Sequence, residues 1–349
     1  MEKIINNNLN GYPEIRNILC DKSNMYIEKK DLFNYGLKLA HILSGKGYHP
    51  FWKGFFFNPF TNKTPCHFFN TINLGNNPFK VHFETTIPRL GNMPRWLYTL
   101  GVKKLAAANC KEIIAISQCA YDLQIDYLQK EYPQYIKAIQ KKMKVQLPPQ
   151  LTLIDDYSEK KLPKDKIAFT LVGGDFFRKG GAEILTVFNR LIPKHPELFL
   201  NIVSSLNYGD YATHTTIEDK KKAIKLINKY PDNIKHYSSL PNYKVLELVK
   251  DSHVGLLPTW ADSFGYSVLE AQAAGCPVIT TDIRALPEVN NNELGWIIPL
   301  YGAGHNKQTS NSLTEQLKKI IQEIIQAGVN EIKRKGEKAL ENIKLKHSY

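Results

Sequence analysis

The chain has 349 residues, of which 43% are hydrophobic, 23% charged and 11% aromatic; this is the composition of a globular protein of about two domains and excludes intrinsic disorder, collagen and low-complexity architectures. The formal net charge of +13 is lodged mainly in the first half, where residues 1–150 hold 20 Lys and Arg against 10 Asp and Glu, pointing to an anionic partner or to a solvated basic face. No uncharged apolar run approaches the roughly 18 residues that span a bilayer; the start MEKIINNNLN lacks the apolar core of a secretory leader, and five scattered cysteines without a Cys-x-x-Cys pair argue against a disulfide framework or a zinc site, so a cytoplasmic protein is expected.

In chain order, the first half shows helical periodicity over Asp31 to Leu43 and Ala120 to Glu131. Strand patterns fall at Cys66 to Ile72, Lys80 to Glu84, Glu112 to Ile116 and Met143 to Gln146. Two stretches, His49 to Phe60 (HPFWKGFFFNPF) and Arg89 to Lys104 (RLGNMPRWLYTLGVKK), interleave aromatics with cations. That composition settles at a membrane interface, and ordinary core aromatics beside exposed lysines are the alternative. The segment Gln146 to Lys166 concentrates Pro and charge and reads as a linker, with the boundary near Lys160.

The second half alternates strands and helices more regularly. Apolar, β-branched runs at Ile167 to Val172, Leu198 to Val203, Ile234 to Tyr237, His253 to Leu257 and Pro277 to Thr281 have the character of buried parallel strands. Helices are predicted around Ile184 to Ile192, over Glu218 to Tyr230 and Asn242 to Lys250, and over Gly265 to Ala274, where Gly275 and Pro277 supply the stop. A helical tail from Thr314 to Lys346 is interrupted near Gly328. Such alternation implies an α/β doubly wound sheet with ligands at the carboxyl ends of its strands.

Three segments converge on one kind of ligand. Phe169 to Gly181, FTLVGGDFFRKGG, runs from a strand into a Gly-rich turn with Arg178 and Lys179 before a helix, a set suited to a diphosphate; it lacks the Gly-Lys-Ser/Thr of a Walker A loop. Pro258 to Gly275 places Asp262 in a loop, Gly265 at a helix start and Glu270 one to two turns in, which offers backbone amides to phosphate and carboxylates to sugar hydroxyls. The same carboxylates would also serve merely to offset the helix terminus. Tyr237 to Leu240 follows a strand, where main-chain groups can read a base edge or simply cap the next helix.

Together, Phe169-Thr170-Leu171-Val172-Gly173 with Arg178-Lys179-Gly180, then Tyr237 to Leu240, Asp262-Ser263-Phe264-Gly265-Tyr266-Ser267-Val268-Leu269-Glu270-Ala271, Gly275-Cys276-Pro277-Val278-Ile279, and Pro287-Glu288-Val289 before Gly295 resemble the retaining glycosyltransferases of family 4, the group 1 glycosyl transferases, over Ile167 to Ile298. The resemblance implies the GT-B architecture, two Rossmann-like doubly wound domains facing a central cleft: residues 1–160 for the acceptor, and residues 161–349, with their C-terminal helices, for a nucleotide-sugar, UDP- or GDP-linked. The family's acid-x7-acid motif falls on Asp262, toward the donor sugar, and Glu270, toward the ribose. The implied donor set is Gly173, Gly174, Arg178, Lys179, Tyr237, Ser239, Leu240, Phe264, Gly265, Tyr266, Ser267 and Glu270, with Glu84, Asp262 and Lys179 as catalytic groups. In the first half, Val81 to Thr86 looks like the strand after which the family positions a histidine near the reacting sugar; Glu84 is preferred there over His82, and His82 and Arg89 are assigned to the acceptor.

The chain departs from the pattern in two places, Asp262 where Glu is usual and Gly174 where Arg is frequent, which leaves Arg178 as the substitute cation. The absence of Asp-x-Asp and His-Glu-x-x-His predicts a metal-independent enzyme with no cofactor; the resemblance implies a role in cell-surface polysaccharide or glycolipid synthesis on a glycan or lipid-linked acceptor, and the basic aromatic segments suggest an anionic membrane surface as a further partner. The rivals are a nucleotide-sugar epimerase of the same fold, a catalytically silent homologue, and a nucleic-acid binder suggested by the basic charge but unsupported by any recognised motif.

Overall fold

The computed structural model describes residues 2–20, 23–44, 50–61, 63–160, 162–163 and 165–348. His49, which opens one of the two aromatic segments, and Lys161 and Lys164 of the expected linker lie outside the described residues. The chain divides into two compact units, Met1–Pro149 and Gln150–Tyr349.

Among the described residues, unit 1 has eight strands: β1 (Lys3–Asn6), β2 (Met25–Glu28), β3 (Phe55–Phe56), β4 (Cys66–Phe69), β5 (Ile72–Asn73), β6 (Phe79–Phe83), β7 (Cys110–Ala115) and β8 (Met143–Val145). Six form a parallel sheet in the order β2-β1-β4-β6-β7-β8, while β3 and β5 pair separately. The expected single strand from Cys66 to Ile72 is two strands, because Asn70 takes a left-handed φ of 54° and breaks the ladder. The aromatic run is largely core: Phe55 and Phe56 are buried among Phe68, Ile72, Ile87 and Leu90, leaving Phe60 exposed at its end. The second aromatic segment is mostly a helix, Arg95–Ala106, whose Leu97, Val102 and Leu105 face the core. The first result favours the core alternative, because apolar rings gain more from burial than from water contact, whereas Trp96 of the second segment is 65% exposed.

Unit 2 carries β9 (Ile167–Val172), β10 (Leu198–Val203), β11 (Ile234–Tyr237), β12 (Val254–Leu257), β13 (Val278–Thr281) and β14 (Trp296–Ile298). They form one parallel sheet in the order β11-β10-β9-β12-β13-β14. Strands of this kind, buried on both faces, are continuous apolar runs, which is why their bounds are readable. Helices Gly181–Leu191, Asn242–Lys250 and Tyr266–Ala273 connect them, and Lys307–Ala327 and Val329–Lys346 flank the break at Gly328. The sheet order reverses between β9 and β12, the switch point outside which an open α/β sheet forms its ligand crevice.

The unit division falls at Pro149, eleven residues before the expected boundary. The intervening segment belongs to unit 2 because it is bonded to it: Leu153 N–H donates to Ala273 O at 2.8 Å and Lys160 Nζ to Ala274 O at 3.0 Å.

Candidate active site

The loops after β9 and β12 meet at the switch point, and the backbone explains how. Gly173 has φ of +145°, and an added methyl there would run into the Lys179 stem, so Lys179 folds back over the strand end. Gly180 has φ of +77°, and its Cα faces the Pro258 carbonyl with no room for a side chain. The two loops are then bonded together. Trp260 N–H and Thr259 Oγ1 both donate to Arg178 O, at 2.8 and 3.0 Å, and the Arg178 guanidinium donates to Ala261 O.

This assembly brings the predicted charges together. Asp262 accepts from the Gly265 and Phe264 amides through Oδ1, at 3.1 and 3.3 Å, so it caps the turn that starts helix Tyr266–Ala273. Its Oδ2 lies 3.5 Å from Lys179 Nζ and 3.8 Å from Arg178. Burial holds the Lys179 ammonium below the usual lysine range, opposed by Asp262. Arg178 is further tied to Asp175 Oδ2 at 2.8 Å. Gly174 turns its carbonyl to Asn207 N–H and Ser204 Oγ, beside an open pocket between the β9 loop and residues 207–215.

Glu270 is half-buried on helix Tyr266–Ala273, with Tyr266 and Ser267 in its first turn; Ser267 borders a small cavity with Val172, Leu257 and Ala271. Phe264, expected at the donor, is fully buried, so its ring packs the loop and only its backbone is engaged. Tyr237 ends β11, and Ser239 and Leu240 follow it, with β10 standing between β11 and β9 at the switch point.

In unit 1, His82 and Glu84 are two residues apart and share a face while the chain stays extended, so alternation does not choose between them. What separates them is that β6 ends at Phe83. His82 is 2% exposed, bonded through Nδ1 to His67 Nε2 at 3.0 Å and stacked on that ring, and burial pushes its pKa well down. The His82 ring, expected at the acceptor, is thus enclosed beside His67. Glu84 lies past the strand end with Asn70 Nδ2 at 3.4 Å and an ion pair to half-exposed Arg89.

Sequence reasoning missed a buried group beside the loops after β9 and β12. Glu183, in the first turn of helix Gly181–Leu191, accepts from Ser310 Oγ at 2.6 Å and has His305 Nε2 at 3.9 Å; the His305 ring stands edge-on to Trp260 at 4.9 Å. Burial raises the Glu183 pKa. The available signal was a carboxylate on the apolar face of GAEILTVF.

Among the described residues no helix is long and apolar enough to cross a membrane. The family model of Glycosyl transferases group 1 matches residues 154–327. The capsular polysaccharide biosynthesis glycosyltransferase CapM of Staphylococcus aureus is 27% identical over 162 residues, 46% of this chain and 38% of that protein. The phosphatidylinositol N-acetylglucosaminyltransferase gpi3 subunit of Schizosaccharomyces pombe is 24% identical over 129 residues, 37% and 26% of the two chains. The matches thus span well under half the length of these relatives. Among solved structures, a glycosyltransferase from Rickettsia africae superposes with a TM-score of 0.57 at 17% identity, covering 99% of this chain and 86% of the other. Sucrose-phosphate synthase from Thermosynechococcus elongatus gives 0.56 at 16%, covering 93% and 77%. On this match of sequence and fold, centred on the unit that holds the Lys179–Asp262 site, the chain belongs to the group 1 glycosyl transferases of GT-B fold.

Proposed function

We propose that the protein is a retaining glycosyltransferase that moves a sugar from a nucleotide-sugar to a glycan or lipid-linked acceptor in cell-surface polysaccharide or glycolipid synthesis. One observation carries this reading: a buried lysine ammonium, answered at 3.5 Å by Asp262, waits beside a helix start at the switch point of the sheet. A diphosphate placed there meets Lys179, Arg178 and the amides that open helix Tyr266–Ala273, groups already oriented for the charge that develops on the leaving group. In the step proposed, the bond from the sugar anomeric carbon to the phosphate oxygen breaks. The acceptor oxygen bonds to the same face, and its proton passes to the departing phosphate. Glu84, beyond the end of β6, is assigned to the reacting sugar, and Glu270 to the ribose.

The testing experiment is a thermal-shift screen of UDP, GDP, ADP, CMP and their sugars, in which a ligand at 100 times its Kd adds about 2.7 kcal/mol. No stabilisation by any of them sinks the donor site. Nucleoside diphosphate released only with an acceptor supports transfer, and persistence in excess EDTA supports charge neutralisation by protein cations. Altered sugar released without an acceptor supports an epimerase, and binding without turnover a silent homologue.

A further inference from the structure

Helix Leu32–Ser44 of unit 1 carries more apolar surface than the unit covers. Its packed face is accounted for: Phe33 meets Phe51 at 5.7 Å and Phe55 at 5.8 Å, and Trp52 lies against Gly36. A second row remains, Leu32, Tyr35, Leu39 and Ile42, exposed by 59, 60, 58 and 78%. At about 100° per residue these four fall within about 80° of arc, along one line of the helix. That is where a surface helix ordinarily places charge. Segment 57–60 runs beside the start of the helix, with Leu32 N–H on Phe57 O and Asn58 Nδ2 on Lys30 O, and it ends in Phe60, 94% exposed.

The polar face of the helix is Asn34, Lys38 and His41, without one carboxylate from Leu32 to Ser44. Asp31, just before it, is 3% exposed and occupied in the cap by the Asn34 and Phe57 amides. Lys29 and Lys30 precede it at the surface, Lys30 paired with Glu28. An apolar row flanked by cations matches a surface of the opposite sign with an apolar layer beneath it. A second copy of this chain fits less well, because it would bring together two strongly basic units, residues 1–150 of each holding 20 cations against 10 carboxylates.

We propose that this row seats the protein on an anionic lipid bilayer, the helix lying in the headgroup plane with Leu32, Tyr35, Leu39 and Ile42 turned into it. The seat is a different element from the aromatic segments, whose Phe55 and Phe56 are core and whose Arg89 and Arg95 are paired with Glu84 and Glu131. It stands apart from the transfer reaction and is read without any sugar.

The test is sedimentation of the full chain with vesicles of phosphatidylcholine alone or mixed with phosphatidylglycerol, at low salt. The expected result is binding to the anionic vesicles at least about tenfold above the neutral ones, weakening as salt rises. The L39E/I42E double variant should lose at least about tenfold of that binding while its thermal unfolding stays at the wild-type value, and K38E should lose less. Equal recovery in the supernatant with both lipids overturns the proposal. So does loss of binding in W96E with L39E/I42E unaffected, which would move the seat to helix Arg95–Ala106. A dimer in solution that L39E/I42E dissociates also overturns it, making a second copy the occupant.

Discussion

The carboxyl edges of the two sheets are built from opposite materials. In unit 2 the edge is main chain and cation: Gly173 and Gly180 let loops close on each other, and the charge they enclose belongs to Lys179 and Arg178. In unit 1 the corresponding positions hold side-chain amides and a carboxylate, Asn7 after β1, Asn70 after β4 and Glu84 after β6, with Asn7 Nδ2 on Thr71 Oγ1 at 3.3 Å. Backbone amides and fixed cations suit a compact anion, whereas side-chain acceptors suit hydroxyls. One layer architecture is therefore edged with two sets of groups, and the division is made by the residues just past each strand.

The sharpest way to break this contrast is at the glycines. Gly180→Ala adds a methyl against the Pro258 carbonyl at a positive φ, and should cost unit 2 about 3 kcal/mol in urea unfolding. Asn70→Gly in unit 1, also at positive φ, should cost less than about 1 kcal/mol, because the backbone there welcomes glycine. Equal effects would mean the edges are not different in kind.

Next in size is Lys179→Met. Calorimetry should show donor affinity weakened by about 1.5 to 3 kcal/mol, the worth of a hydrogen bond to a charged group, and Glu270→Ala should act similarly. In the ligand-free protein the same Lys179 variant should melt higher, since it removes a buried ammonium whose charged form burial disfavours. Unchanged donor binding in the folded variant would remove Lys179 from the site. Glu84→Ala tests the other edge. It should leave donor affinity intact and lower transfer by about tenfold or more, and a loss of donor binding would place Glu84 with the wrong substrate.

These variants also show why unit 2 was more legible than unit 1, where the strands expected at Lys80 to Glu84, Glu112 to Ile116 and Met143 to Gln146 and the helix at Ala120 to Glu131 still fall within two residues of β6, β7, β8 and helix Gln118–Glu131. Strands Ile167–Val172, Leu198–Val203 and Ile234–Tyr237 and helix Asn242–Lys250 fall at their expected bounds, because buried parallel strands are unbroken apolar runs and Pro or Gly punctuates them. β1, KIIN, and β2, MYIE, were missed: they are four residues each, and β2 is an edge strand without a buried residue. β14, an edge strand of the unit 2 sheet, was missed because it is only three residues long. The Gly173–Lys179 and Asp262–Gly265 pairs were readable since close backbone approach demands glycine at fixed spacing. Glu183 and His305 are 122 residues apart in the numbering and meet only in the fold. The burial of His82 was not foreseen, because nothing local reveals the His67 ring that encloses it.

The smallest effect sharpens the same boundary through pH. The Glu183 pKa is raised above 4.5, so the neutral acid stabilises the fold, fully below about pH 4.5 and less as pH rises through the folded-state value. Glu183→Gln keeps an acceptor for Ser310 and should therefore gain on the wild type in urea melts as pH climbs. A constant difference across that range would show that burial of this carboxylate is not what the variant relieves.

The ends of unit 2 hold one another. Gln150 N–H donates to His347 O at 2.8 Å, and Lys344 Nζ reaches Asp155 O at 2.6 Å, so the first and last segments of the unit are clasped beside helix Val329–Lys346. Cut at residue 150 the unit keeps this clasp, and cut at 161 it loses the strap that Ala273 and His347 grip. Fraying in such a unit would begin not at its ends but in its longest open loop, residues 204–216, next to the pocket where the donor is proposed to enter.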